Sequence, residues 1–238
     1  MIIVPVNSFL SEYDFSEGCM IPFDKDLEWT SFDVVNKIRN TIKVRKVGHA
    51  GTLDPLASGL VLLCTGKYTK KLNDLMGLEK EYTGTITFGK TTPSYDLETE
   101  ASISGDPSQL TIDLIRDAAQ QFVGEVEQIP PIYSAIKVDG ERAYKKARKN
   151  EEAKMKARVV HIRELEILDY RNATATFRMV CSKGTYVRSL AHDLGQHLKV
   201  GAHLSSLRRT RIGQYQVSQA WKVSQFVESF KKEFNDHN

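Results

Sequence analysis

Apolar positions recur along the chain with two periods, and the switches between them mark the elements. Phe32, Val35, Ile38 and Ile42 fall near helical spacing and predict a helix that opens at Ser31, with the Ser31 hydroxyl as its cap. Leu60-Val61-Leu62-Leu63-Cys64 is a short continuous apolar run suited to a buried strand, and Gly66 closes it. A helix over about Lys67 to Leu75 is expected next. From Lys80 to Gly89 the period is two: Tyr82, Ile86 and Phe88 share one face and the threonines the other, as in a half-buried strand. Residues 90–110 are polar, carry Pro and Gly, and read as a loop. Thr111 is positioned to cap a helix whose apolar face is Ile112, Ile115, Ala119 and Phe122. Pro130-Pro131 stiffens the start of a further strand, and residues 140–149 read as a short basic helix on an exposed insertion. Val159 to Tyr170 and Ala173 to Ser182 alternate on either side of Asn172, the mark of a hairpin. A turn at Gly184 leads into a helix that starts near Tyr186, and a last amphipathic helix covers Trp221 to Phe234. Strands with interspersed helices predict the α/β class with a mainly antiparallel sheet. Residues 1–24 have little periodicity and read as an irregular acidic arm, partly disordered.

Charge sharpens this picture through its distribution. The net charge is only +3, but residues 37–46 carry Lys37, Arg39, Lys43, Arg45 and Lys46 with no acid. Residues 137–163 are rich in Lys and Arg, and residues 183–211 hold Asp193 as their sole acid. Each block alone is a solvated surface; three together point to a polyanion such as nucleic acid. Cys19, Cys64 and Cys181 are widely spaced and form no Cys-x-x-Cys pair, which argues against zinc and against a disulfide framework. His192 and His197 are five apart and do not share a helix face, so a metal pair is rejected. The start of the sequence lacks the pattern of a signal peptide, and no apolar run reaches the roughly 20 residues of a membrane span. A cytoplasmic protein that is no membrane protein is the expectation.

The stretch Lys46-Val-Gly-His-Ala-Gly-Thr-Leu-Asp-Pro-Leu-Ala-Ser-Gly59 carries the candidate chemistry. Its glycines permit close approach of a ligand, and Pro55 pushes Asp54 out of the helical region. It is no phosphate-binding loop, because no Gly-Lys-Ser/Thr follows at the required spacing. On residue types alone it is either a turn or a loop that offers one carboxylate. In its order, Gly48-His49-x-Gly51-Thr52-Leu53-Asp54-Pro55-Leu56-Ala57-x-Gly59 resembles the active-site motif of the TruB family of tRNA pseudouridine synthases. Further segments match that family in order: Lys80-Glu81-Tyr82, the Ile129–Lys137 run, Cys181–Leu190, and Gly201–Thr210. Thr91, Thr92, Ser94 and Asp96 follow a Thr-x-Thr-x-Asp segment loosely. The chain departs from the family at Lys25-Asp-Leu-Glu-Trp-Thr-Ser31, where relatives read Lys-Pro-x-Gly-x-Thr-Ser.

The resemblance implies a pseudouridine synthase fold, a curved mixed sheet with flanking helices. Residues 25–238 would form the catalytic domain, with a basic RNA-clamping insertion at about 137–158. The implied reaction is isomerisation of uridine to pseudouridine at position 55 in the T-arm of tRNA, without metal or other cofactor. Asp54 would be the catalytic carboxylate, as nucleophile or as base; the two stay open. Arg188 lies in the first turn of a helix, an unfavourable place for a cation unless an acid sits beside it, and Asp54 is the candidate partner. Tyr82, by itself a core residue, would stack on the base; His49, Tyr186 and Leu207 would hold the flipped nucleotide. Lys67, Lys137, Arg148, Lys183, Arg208 and Arg209, with Arg211, are read as contacts to the RNA backbone. The bacterial family's C-terminal PUA domain is not expected, so binding would be restricted to the arm. A monomer with no obligate protein partner is the expectation. A non-catalytic tRNA-binding or folding module, a guide-RNA-dependent ribosomal RNA enzyme and a basic scaffold are the competing readings.

Overall fold

The computed structural model describes residues 1–134, 136–138, 140–149 and 155–235, with the backbone alone for Lys137, Arg148 and Asn235. A 3-10 turn at Leu10–Glu12 precedes β1 (Met20–Lys25), α1 (Ser31–Ile42), β2 (Val47–His49) and β3 (Ala57–Thr65). A 3-10 segment at Gly66–Lys71 then leads into α2 (Leu72–Gly77), followed by β4 (Lys80–Phe88), β5 (Lys90–Thr91), β6 (Ser102–Ile103), α3 (Ile112–Gln120) and β7 (Gly124–Gln128). Next come β8 (Lys137–Val138), β9 (Glu141–Arg142), α4 (Ala143–Arg148), β10 (Arg158–Arg171), β11 (Thr174–Cys181), α5 (Val187–His197) and β12 (Ala202–Ile212). The chain continues through β13 (Tyr215–Gln216), a 3-10 turn at Val217–Gln219, β14 (Trp221–Lys222) and α6 (Val223–Asn235). The class is the expected α/β, with mixed pairing in which antiparallel contacts dominate.

Two compact units divide the chain, residues 1–82 with 208–238, and residues 83–207. In the first unit β1 runs parallel to β14, with Phe23 opposite Trp221, and antiparallel to β3, with Met20 opposite Cys64. β2 adds antiparallel to β3, with His49 opposite Leu63. Phe23, Trp221 and Phe226 form its aromatic core, Phe226 lying 5.3 Å from Phe23 and 5.5 Å from Trp221, both edge to face. β3 is buried along nearly its whole length, as its continuous apolar run predicts.

The second unit is built on the long β10–β11 hairpin, with β7 paired antiparallel to β10. Asn172 and Ala173 both take positive φ, 49° and 58°, the backbone of a two-residue primed turn. α3 has the Thr111 cap, with Leu114 N–H donating to its hydroxyl, and buries Ile115 and Ala119. The alternation along β4 holds: Tyr82, Ile86 and Phe88 are buried.

Four local expectations are corrected. Residues 1–24 are no irregular arm throughout: Met20–Lys25 is a buried strand, Val4 and Leu10 are fully buried, and Trp221 Nε1 donates to the Val4 carbonyl. α1 is capped by Thr30, which forms a reciprocal capping box with Asp33, and the predicted core residue Phe32 is 57% exposed because Val34 and Val35 supply the buried face. The segment expected as one helix from Lys67 is a 3-10 segment and then a six-residue helix. The 90–110 loop contains a small hairpin, β5 on β6.

Thr30→Ala removes the cap of α1 and is expected to lower unfolding free energy by about 1 kcal/mol at unchanged denaturant slope, read by urea titration.

Candidate active site

The loop between β2 and β3 presents Asp54, and its backbone is fixed from several sides within the first unit. Ala50 N–H donates to the Leu62 carbonyl at 2.9 Å. Ser31, buried at the start of α1, binds Leu53 twice: it accepts from Leu53 N–H at 2.8 Å and donates to the Leu53 carbonyl at 3.2 Å. Ala57 N–H donates to the Asp54 carbonyl at 3.1 Å, which closes a turn around Pro55. The Asp54 side chain itself is half-buried.

Two buried cations complete the support. Arg209 is 1% exposed and donates to the carbonyls of Leu60 at 2.7 Å, Gly51 at 3.2 Å and Thr52 at 3.4 Å. Gly59 is required where Arg209 passes: its φ is +109°, and a Cβ there would lie 2.3 Å from the Arg209 carbonyl oxygen. Lys25 is fully buried and donates to the carbonyls of Trp29 at 2.6 Å, Asp26 at 2.9 Å and Pro55 at 3.5 Å. Burial pushes the Lys25 ammonium down to about 8, against the opposing pull of the Asp54 carboxylate. His49, half-buried at the end of β2, is held below the usual imidazole value by burial and by Arg209, partly offset by a hydrogen bond with the Gly51 backbone. Tyr82 is 8% exposed.

The altered turn before α1 has a clear geometry. Glu28, in the segment that departs from the motif the sequence resembles, takes φ +67°. Its N–H donates to the Pro55 carbonyl at 2.8 Å, so this turn too grips the Asp54 loop.

In the second unit, Arg188 is 4% exposed in the first turn of α5. The buried acid that its position demands is supplied there by Asp96: Nη1 lies 3.3 Å from Asp96 Oδ2. The same nitrogen donates to the carbonyls of Tyr133 at 3.1 Å and Ser94 at 3.4 Å. Tyr186, just before α5, exchanges two hydrogen bonds with the Gln128 side chain, Tyr186 N–H to Oε1 at 2.7 Å and Nε2 to the Tyr186 carbonyl at 2.9 Å. The Arg158 guanidinium lies over the Tyr186 ring at 4.6 Å. Leu207 is half-buried on β12.

The expected RNA-backbone set divides. Lys183 is exposed. Lys67 is 72% exposed along its side chain and pairs with Glu17. Arg209 is corrected: it is interior, and its donors serve loop carbonyls. Arg208, its side chain 38% exposed, binds Asp24 through both terminal nitrogens at 3.0 and 2.8 Å, and Ser58 at 3.2 Å. Arg211 pairs with Glu79 at 3.1 Å and Glu81 at 3.6 Å. The side chains of Lys137 and Arg148, and part of the 137–158 insertion, lie outside the described residues. Among the described residues no group of three or more His, Cys, Asp or Glu is placed to hold a metal. Sequence reasoning missed Lys25, Ser31, Gln128 and Arg158 as supports; the loose Thr-x-Thr-x-Asp match was the available sign of Asp96.

Two variants test these supports. Arg208→Ala is expected to cost about 1–3 kcal/mol of stability and to leave the salt dependence of RNA binding unchanged, because Arg208 is spent on Asp24. Burial alone would raise the Asp24 carboxyl, but Arg208 and Lys222 hold it below its ordinary value of 3.8. The stabilisation from this group is therefore complete above that value and lost as pH falls through the depressed one, so the Arg208→Ala deficit shrinks in acid; equilibrium unfolding against pH checks it. Glu28→Gly relieves the left-handed strain and is expected to raise stability by about 0.5–1 kcal/mol in the same assay.

The sequence matches the family described as TruB family pseudouridylate synthase (N terminal domain) over residues 39–187. It matches the tRNA pseudouridylate synthase B C-terminal domain over residues 188–237. A tRNA pseudouridine synthase B of Phocaeicola vulgatus is 48% identical over 221 residues, which covers 90% of this chain and 94% of the relative. One from Flavobacterium johnsoniae is 48% identical over 225 residues, covering 92% and 98%. Among solved structures, a Cbf5-Nop10-Gar1 complex superimposes with TM-score 0.72 at 28% identity; 94% of this chain is covered but only 57% of that one. The chain belongs to the TruB family of pseudouridylate synthases.

Proposed function

We propose that this chain isomerises uridine to pseudouridine at position 55 in the T-arm of tRNA. The observation that carries the reading is the Asp54 loop: one half-buried carboxylate on a backbone fixed by Ser31, Arg209 and Lys25, in a chain nearly half identical to enzymes named tRNA pseudouridine synthase B. The reaction breaks the N1–C1′ bond, turns the base and forms a C5–C1′ bond. No atom is gained, so no cofactor is called for.

The target lies in a stacked loop, and the nucleotide has to leave the stack before C1′ is accessible. Asp54 is the group that assists glycosidic cleavage. Its fixed backbone removes the cost of organising the carboxylate during the reaction. The Asp54 carboxylate raises the Lys25 ammonium against the lowering by burial. Tyr82 stacks on the base and handles the C5 proton, and Arg188 is the guanidinium that the family motif brings to the reaction. His49 remains neutral at physiological pH, since burial lowers its value, and supports the extruded nucleotide as a hydrogen-bonding ring; Tyr186 and Leu207 line the base site. Lys67, Lys183, Lys137 and Arg148 are the backbone contacts that this reading retains. The catalytic domain includes the N-terminal residues packed with β1 as well as residues 25–238, and the protein works as a cytoplasmic monomer.

The test is tritium release from a T-arm stem-loop labelled at uridine C5. The wild type is expected to release label from the T-loop uridine. Asp54→Asn is expected to release none while its RNA affinity stays within about threefold, which is below 1 kcal/mol. Retained turnover in Asp54→Asn would remove Asp54 from the chemistry; no release by the wild type with binding retained would favour an RNA-binding module.

A further inference from the structure

A stacked pair of rings lies beside Arg188, and the roles assigned so far leave it unused. Tyr95 and His192 pack with centroids 3.9 Å apart and planes inclined by 15°. His192 follows Arg188 by four residues on α5, so both side chains leave the same face of that helix. The loop they meet is the one that supplies the acceptors for Arg188.

That loop has an unusual backbone. Tyr95 N–H donates to the Thr92 carbonyl at 3.1 Å, which closes a tight turn. Tyr95 itself takes φ +64°, a left-handed conformation disfavoured for an aromatic residue. The reversal at Tyr95 turns both of its neighbours towards one atom: the Ser94 carbonyl and the Asp96 carboxylate both meet Arg188 Nη1. The buried hydroxyls of Thr92 and Ser94 donate to the Asp96 carbonyl at 2.7 and 3.2 Å, and Glu98 N–H donates to Asp96 Oδ1 at 2.9 Å. Two further contacts fall on Tyr95 from outside the turn: the Leu204 N–H, which donates to its carbonyl at 2.9 Å, and the His192 ring.

We infer that His192 is a positioning residue for the reaction: by stacking on Tyr95 it keeps the left-handed turn that aims Asp96 at Arg188. The ring face does the work. The buried Nδ1 of His192 has no hydrogen-bond partner among the described residues, and burial lowers the imidazole's proton affinity, so the packed ring is neutral. A planar apolar ring of similar size therefore serves equally well. The consequence for rate rests on the reading of Arg188 as part of the catalytic machinery; the consequence for geometry does not.

The experiment compares the full chain as wild type, His192→Ala and His192→Phe, by single-turnover tritium release from the T-arm stem-loop, by RNA affinity, and by crystal structures. His192→Ala is expected to react about tenfold or more slowly, because small misplacement of a catalytic group has that scale of effect, with affinity unchanged within about threefold. His192→Phe is expected to recover the rate to within about threefold of the wild type. In the crystal, the Asp96–Arg188 contact is expected to persist in His192→Phe and to be lost in His192→Ala. If the contact survives intact in His192→Ala, the inference is overturned whatever the rates. If both variants lose the contact alike, stacking is not the determinant and the inference is again overturned. Loss of the contact in His192→Ala alone, with no change in rate, supports the geometry and counts against Arg188's catalytic role.

Discussion

A buried guanidinium holds the centre of the first unit. Arg209 lies in β12 with its charge removed from water, which costs several kcal/mol unless its donors are satisfied. They are satisfied by three main-chain carbonyls, two from the loop that carries Asp54 and one from β3. The loop therefore cannot rearrange without stranding a buried charge. Lys25 repeats the device from the other side, with its ammonium on the carbonyls of Asp26, Trp29 and Pro55. Because both cations are tied to carbonyl dipoles, their positive charge is not neutralised by those contacts. The effect reaches the loop: Arg209 adds to burial in lowering His49, and the Asp54 carboxylate opposes the lowering of Lys25 by burial.

This use of cations changes how the chain's basic character is read. Residues 183–211 look like an RNA-binding block in sequence. In the fold, Arg188 is paired with Asp96, Arg208 with Asp24, and Arg211 with Glu79 and Glu81, while Arg209 is interior. The block's positive charge is largely structural. Net charge counts partners poorly when arginines can be spent on carboxylates and backbone, for which their planar, permanently charged fork is well suited.

What the sequence made legible was local. The period of β4, the Thr111 cap of α3, the hairpin turn at Asn172 and the turn at Gly184 rest on neighbours within a few residues, and each appears where expected. The family was legible through the motif around Asp54. An acid beside Arg188 was legible as a requirement, since a cation at a helix start needs one, but the part Asp96 plays depends on a loop about 90 residues earlier. Ser31 was misread as a cap because its real partner, Leu53, is distant in sequence. The N-terminal segment was misread because its burial depends on Trp221 and Phe226 near the other end of the chain. Glu28 hid its left-handed turn behind a residue type that seldom adopts one.

The Asp54 loop is a rigid platform set by buried cations. Native-state hydrogen exchange at the amides of Ala50, Leu53 and Ala57 tests it most directly, since each donates within the loop or to its supports. These amides are expected to exchange as slowly as those of β3, through the same cooperative opening, and Arg209→Met is expected to accelerate them selectively while β3 stays protected. Exchange of the three amides near the rate of an unstructured loop in the wild type would contradict it.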